Sequence, residues 1–236
     1  PTEEEKAVAI TPSYRSYALA LFLLVYIINF VDRQIFAILI EPIRLEIDLS
    51  DTQLGLLGGI AFAIFYTFAG IPIARWADVG VRKNIVALAL VIWSVMTMFT
   101  STAKGFGTLL IARVGVGIGE AGCSPPIHSL ISDMYPEEER GTALSTYALG
   151  IPIGAAIGTL VGGWIGEYFG WRMAFMVVGM PGIIVAIVVF FTVREPPRGH
   201  SEPDHVKVQK DLVPLADTIK FLWGLKAFRH LSFAGA

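Results

Sequence analysis

The chain has 236 residues and a net charge of −2, and 54% of it is hydrophobic against 16% charged, where ordinary soluble domains hold about 25% charged residues. Apolar residues in that proportion, gathered into blocks, argue against a soluble enzyme and for an integral membrane protein. No basic excess serves a phosphate backbone, so nucleic acid is not an expected partner, and the single cysteine, Cys123, cannot form an intrachain disulfide.

Residues 1–16, acidic at Glu3, Glu4 and Glu5, form an expected cytoplasmic N-terminal segment without the pattern of a signal peptide. A hydrocarbon core of about 30 Å takes roughly 20 helical residues, and six stretches are long and apolar enough. Four of them, at 52–74, 84–103, 141–166 and 173–193, contain no Asp, Glu, Lys or Arg. Two more share the texture but carry charge: 17–40 holds Asp32 and Arg33, and 108–134 holds Arg113, Glu120 and Asp133. The expected fold is therefore an all-α membrane protein, with a six-helix bundle over 17–195.

An even number of spans leaves both ends of the bundle on one side. Lys6, Arg15, Arg75, Arg82, Lys83, Arg140 and Arg194 fall on that side, against Arg44, Lys104 and Arg172 on the other. The positive-inside rule then puts the N-terminus in the cytoplasm, with the cell (inner) membrane as the expected location. Beyond the sixth span, 196–224 is Pro-rich and charged, an expected cytoplasmic linker. Leu212, Leu215, Ile219 and Leu222 recur in it at helical spacing, as in a helix lying on the membrane surface. Residues 225–236 resemble the opening of a seventh span cut short, so a second half is an expected partner. His200 and His205 have no flanking ligands at a metal-site spacing, and no metal or cofactor is expected.

Charge at membrane depth is costly and marks a polar cavity or an ion pair. Asn29, Asp32, Arg33 and Phe36 fall at spacings of three and four and share a face of span 1; Arg113, Gly117, Glu120, Ser124 and His128 do so on span 4. At 1.5 Å per residue Asp32 lies about 22 Å from the start of its span and Arg113 about 8 Å from the start of the antiparallel span 4, at similar depth, with Glu120 roughly 10 Å deeper. Spans 1 and 4 hold equivalent places in two sets of three, the pattern of inverted three-helix repeats. Two readings stay open. In one, a proton on Asp32 or Glu120 alters the charge offered to a substrate held by Arg33 and Arg113, with Asn29 and Ser124 on the same stripes as further substrate-binding candidates. In the other, a static ion-pair network locks the two helices together. Pro125 and Pro126 are expected to break span 4, and His128 beyond them is expected to be a packing residue near the inner interface.

Gly150, Gly154, Gly158, Gly162, Gly166 and Gly170 recur every fourth residue through span 5 and leave one face nearly bare backbone. That face is an interface, either within this bundle or with the absent half.

The loop Ala74-Arg-Trp-Ala-Asp-Val-Gly-Val-Arg-Lys83 resembles the signature loop of the major facilitator superfamily, agreeing at Asp78, Arg82 and Lys83. The resemblance extends to Asn29-Phe-Val-Asp-Arg33, Arg113-Val-Gly-Val-Gly-Ile-Gly-Glu-Ala121, the following Ser124-Pro-Pro and His128-Ser-Leu-Ile-Ser-Asp-Met-Tyr-Pro136, and Gly170-Trp-Arg-Met-Ala-Phe175. Together these look like the spinster branch. The resemblance implies the N-terminal bundle of that fold and proton-driven movement of an amphiphilic lipid, such as a lysophospholipid or sphingosine-1-phosphate. It also implies Asp32 as the proton-coupled acid, Arg33 and Arg113 as headgroup or coupling residues, Glu120 as their partner in the cavity, and Asp78, Arg82 and Lys83 as a cytoplasmic gate. The alternatives are a proton-coupled organic-anion symporter, whose branch also carries an Asp-Arg pair in span 1, and a non-transporting receptor or scaffold. An intramembrane hydrolase is disfavoured, since no HExxH or GxSxG string occurs.

Overall fold

The computed structural model describes residues 10–202 and 215–234, which fall into two units, 1–203 and 204–236. The described residues are helical, without strands. Helix α1 (Pro12–Ile47) opens with the Thr11 side chain accepting from the Tyr14 N–H and with Pro12 in the first turn, where a missing donor costs nothing. It outruns the expected 17–40 at both ends, because hydropathy marks the apolar stretch of a helix while caps mark its termini.

The second span is composite: α2 (Asp51–Gly55) starts on a Ser50/Gln53 capping box, a π-helical turn follows at Leu56–Ile60, and α3 (Ala61–Val79) completes it. The third is α4 (Arg82–Thr100). The fourth divides into α5 (Phe106–Ala121) and α6 (Ser124–Met134), the break falling at Gly122–Cys123 immediately before Pro125 and Pro126, as expected from their missing N–H groups.

Helices α7 (Glu137–Ala148) and α8 (Gly150–Thr192) run on as a helical stretch of 56 residues. At 1.5 Å per residue this is about 84 Å, too long for one crossing. Gly170 divides it: its φ of 82° and ψ of 160° are open essentially to glycine alone. Gly170 is thus the turn between spans 5 and 6 and not the last member of the glycine face. Among the described residues five stretches are long and apolar enough to cross a membrane, and the bend at Gly170 divides the longest into two, which is compatible with six spans.

The glycine face lies against α1. A Cβ on Gly154 would come within 2.5 Å of the Ile27 carbonyl, and Gly150, Gly158, Gly162 and Gly166 face Tyr26, Val31, Ile35 and Leu39 in turn. The interface is inside this bundle. Beyond Gly170, α8 crosses to α4, where Gly179 faces Ser94 and Met98. Two apolar clusters result, one including Ile28 and Trp93, the other Val31 and Phe175. On α1 they meet at Ile28 and Val31, next to the charged residues.

In the second unit, α9 (Leu215–Gly224) and α10 (Lys226–Ala234) are helical. Leu212 and His205 lie outside the described residues.

Candidate substrate and proton site

Asn29, Asp32, Arg113 and Glu120 are all buried. Glu120 is sealed, while Arg33, which donates through Nε to Glu120 Oε2 at 2.6 Å, keeps 30% of its side chain exposed. Asp32 accepts at Oδ2 from Thr97 Oγ1 at 3.0 Å. Asp32 Oδ1 and Glu120 Oε1 are buried with no hydrogen-bond partner among the described residues. Two carboxylates therefore each hold one unused acceptor in the same bundle interior, where an unpaired acceptor is costly.

Arg113 lies elsewhere than its expected level with Asp32. Its Nε donates to the Leu57 carbonyl at 3.2 Å, inside the π turn, and its guanidinium lies over the Phe36 ring at 4.3 Å. The real helix ends explain the offset. Measured from Ile47 and Phe106, at the shared end of α1 and α5, Arg33 and Glu120 both lie about 21 Å in, whereas Arg113 is only about 10 Å in. Arg33 therefore meets Glu120 directly, and Arg113 bonds to the wall of the second span while staying close enough to Glu120 and Asp32 for their charges to interact. A π turn loosens the regular helical ladder, which makes it a natural place for a carbonyl to serve a side chain.

Sequence reading missed the aromatic lining. Arg33 sits over Phe30, Phe62 and Tyr66 at 5.2, 4.9 and 5.1 Å, and Arg113 sits 4.8 Å from the same Phe62 ring. One phenyl group thus stands beside both guanidinium groups, with cation–π attraction on each. Close approach of α3 to α5 makes this possible: a Cβ on Gly117 would lie 3.2 Å from the Phe62 carbonyl. Thr97 was missed too, although Ser94, Thr97 and Thr100 at spacing three form a polar line within an otherwise apolar span.

Ser124 is half-buried past the break in span 4, where the stripe's spacing no longer holds. His128 is exposed, edge-on to Tyr147 at 5.4 Å, so it is not enclosed as a packing residue.

At the opposite end of α1 from Ile47, Arg82 is fully buried. It donates to Asp133, to Glu195 Oε1 at 2.6 Å, to Ser129 Oγ at 2.8 Å and to the Pro196 carbonyl at 2.9 Å. The Lys83 amide donates to Glu195 Oε2 at 3.1 Å. Asp78 is exposed and enters no ion pair among the described residues. The C-terminal carbonyls of α3 are met instead by Arg198, which donates to those of Ala77 and Gly80 at 2.7 and 3.0 Å. Asp133, from α6, and Glu195 and Arg198, from the chain after the sixth span, thus join the predicted trio's neighbourhood. No cluster of His, Cys, Asp and Glu that could hold a metal occurs among the described residues.

A helical bundle of long apolar helices that keeps carboxylates and arginines in its interior is the construction of a membrane transport protein. The model of the Major Facilitator Superfamily matches residues 22–236, and the chain belongs to that family, one of transporters and not of enzymes. A crystal structure of a bacterial homolog to the human lysosomal transporter Spinster, in an inward-facing and occupied conformation, superposes with a TM-score of 0.78 at 43% identity, covering 82% of this chain and 47% of that one. The chain is 30% identical to Protein spinster of Drosophila melanogaster, over 90% of its own length and 36% of that protein's. It is 32% identical to the Hexuronate transporter of Bacillus subtilis (strain 168), over 73% of its own length and 40% of that protein's. The chain spans less than half the length of these relatives.

Proposed function

We propose that this chain is the N-terminal half of a proton-coupled secondary active transporter that moves an amphiphilic lipid of the lysophospholipid or sphingosine-1-phosphate kind. It works by alternating access against a C-terminal six-helix half. The observation that carries the proposal is the Arg33–Glu120 contact, a sealed carboxylate holding a guanidinium that still reaches open space. An anionic headgroup competes with Glu120 for Arg33. A proton on Glu120 releases the guanidinium, and a proton on Asp32 removes the remaining negative charge, so protons and substrate charge are exchanged at one place. Asn29, buried on the same face of α1, and Ser124, half-buried beyond the break in span 4, are further substrate-binding residues in this proposal. Phe30, Phe62 and Tyr66 supply the apolar surface that an amphiphile needs beside the cation.

In the same proposal the end carrying Arg82 and Lys83 faces the cytoplasm of a cell (inner) membrane, and Asp78, Arg82 and Lys83 belong to its gate. Residues 215–224 lie along the membrane surface, and 225–236 begin a seventh span. The charges equally suit a small carboxylate, and the hexuronate-transporter relative favours that second reading.

Proteoliposomes of the complete protein, offered radiolabelled lysophospholipid and a hexuronate in parallel under an imposed pH gradient, separate the two. Lysolipid uptake that depends on the gradient, and that Asp32→Asn uncouples from it, is the expected result. Hexuronate uptake alone selects the second reading. No uptake of either under any gradient refutes transport and leaves a receptor or scaffold.

A further inference from the structure

An apolar groove lies on the outer wall of the bundle, away from the charged interior. Between α4 and the last turns of α8 runs a groove of about 330 Å³, lined by Asn84, Ala87, Leu88, Val91, Ala186, Ile187, Phe190 and Phe191. Its floor is Ala87 and Ala186, both buried, where small side chains let the groove form. Its walls, Leu88, Val91, Ile187, Phe190 and Phe191, are exposed. From Asn84 to Val91 the slot follows about 10 Å of helix, starting at the basic end of the bundle and running towards the membrane interior.

The mouth of this slot is cationic. Lys83 Nζ donates to the Phe190 carbonyl at 3.2 Å and stands 5.9 Å from the Phe190 ring, on the groove side of α4, with further N–H donors left over. Asn84, exposed, places an amide on the rim. Glu195 and Asp133 are both paired with the buried Arg82, and Glu195 Oε2 also accepts from the Lys83 backbone N–H, which leaves the Lys83 ammonium outside both pairs. A slot that takes only hydrocarbon, capped by an ammonium group and an amide, fits a molecule with an apolar tail and an anionic head.

We infer that this groove binds an anionic glycerophospholipid of the surrounding bilayer, with one acyl chain between α4 and α8 and the phosphate at Lys83 and Asn84. A neutral acyl chain fits the slot alone, and only the headgroup contact distinguishes a site from ordinary solvating lipid. Because the groove shares no residue with the Arg33–Glu120 site, the inference stands whatever the substrate proves to be.

The test is native mass spectrometry of the complete protein in mild detergent, offered phosphatidylglycerol and phosphatidylcholine of the same chains at equal concentration. Phosphatidylglycerol is expected to be retained about fivefold over phosphatidylcholine, the scale of one lysine facing an anionic headgroup. Lys83→Gln should abolish that preference, and Lys83→Arg should keep it. Val91→Trp, or Ile187→Trp if the first variant folds poorly, should displace both lipids by filling the slot. Equal retention by the unaltered protein, or a preference that survives Lys83→Gln, overturns the inference. Displacement of the lipid by inorganic phosphate also overturns it, since the site would then be for a free anion.

Discussion

Arg33 and Glu120 form an ion pair whose two members live in different environments: the carboxylate has no exposed surface, and the guanidinium 2.6 Å away keeps 30% of its side chain exposed. The pair is therefore asymmetric to mutation. Removing Glu120 leaves a cation that can turn to water, whereas removing Arg33 strands a sealed anion. Arg33→Ala is expected to lower stability by about 3 kcal/mol, the scale of breaking a buried pair, and Glu120→Ala by clearly less. Thermal unfolding of both variants in the same detergent checks the order, and equal losses would contradict it.

Thr97 supplies the hydrogen bond that the Asp32 carboxylate accepts. Thr97→Val keeps the shape and deletes the donor. If Asp32 exchanges protons during turnover, that substitution displaces the pH profile of uptake, and Thr97→Ser restores it. A profile unchanged in Thr97→Val would detach Asp32 from the proton step.

Glycine positions differ in why they tolerate nothing larger. Gly154→Ala drives a methyl group into the Ile27 carbonyl and should cost about 1–3 kcal/mol by overpacking. Gly170→Ala meets no atom within 4 Å, yet its backbone conformation imposes a similar cost, about 1–3 kcal/mol. Gly163→Ala, with open space and ordinary helical geometry, serves as the control and should cost nothing or raise the unfolding temperature slightly, since alanine favours the helix over glycine.

Arg82 is held by two carboxylates and has no exposure. Arg82→Ala leaves Asp133 and Glu195 without their common cation and should destabilise the protein by about 3–5 kcal/mol. Arg82→Lys rescues only part of this, because a single ammonium cannot reproduce the fork that serves Asp133, Glu195, Ser129 and Pro196 together. Adding Glu195→Gln to Arg82→Ala should recover part of the loss in the same unfolding assay.

Much of this molecule is written in one dimension. The cost of placing charge in hydrocarbon requires long apolar runs, so the crossings, the two that carry charge, and Asp32, Arg33, Arg113 and Glu120 as the residues to watch could all be read from the chain. The proline break in span 4 followed from missing donors, and the glycine face followed from its period of four. Which residues touch depends on where each helix starts, and those starts are set by caps and turns a few residues outside the apolar runs. That offset moved Glu120 level with Arg33 and left Arg113 to the Leu57 carbonyl.

Tertiary structure alone decided the partner of the glycine face, because a bare helix face fits any close neighbour until one is packed against it. It decided the role of Gly170, since a periodic glycine in sequence is indistinguishable from a hinge until its φ is known. It also decided that Phe62 stands beside two arginines, and that Arg82 is enclosed by a chain segment more than a hundred residues away. Local composition fixes what each helix must bury. The close approach of helices distant in sequence fixes which charges neutralise one another, and those distances are not encoded in any single stretch.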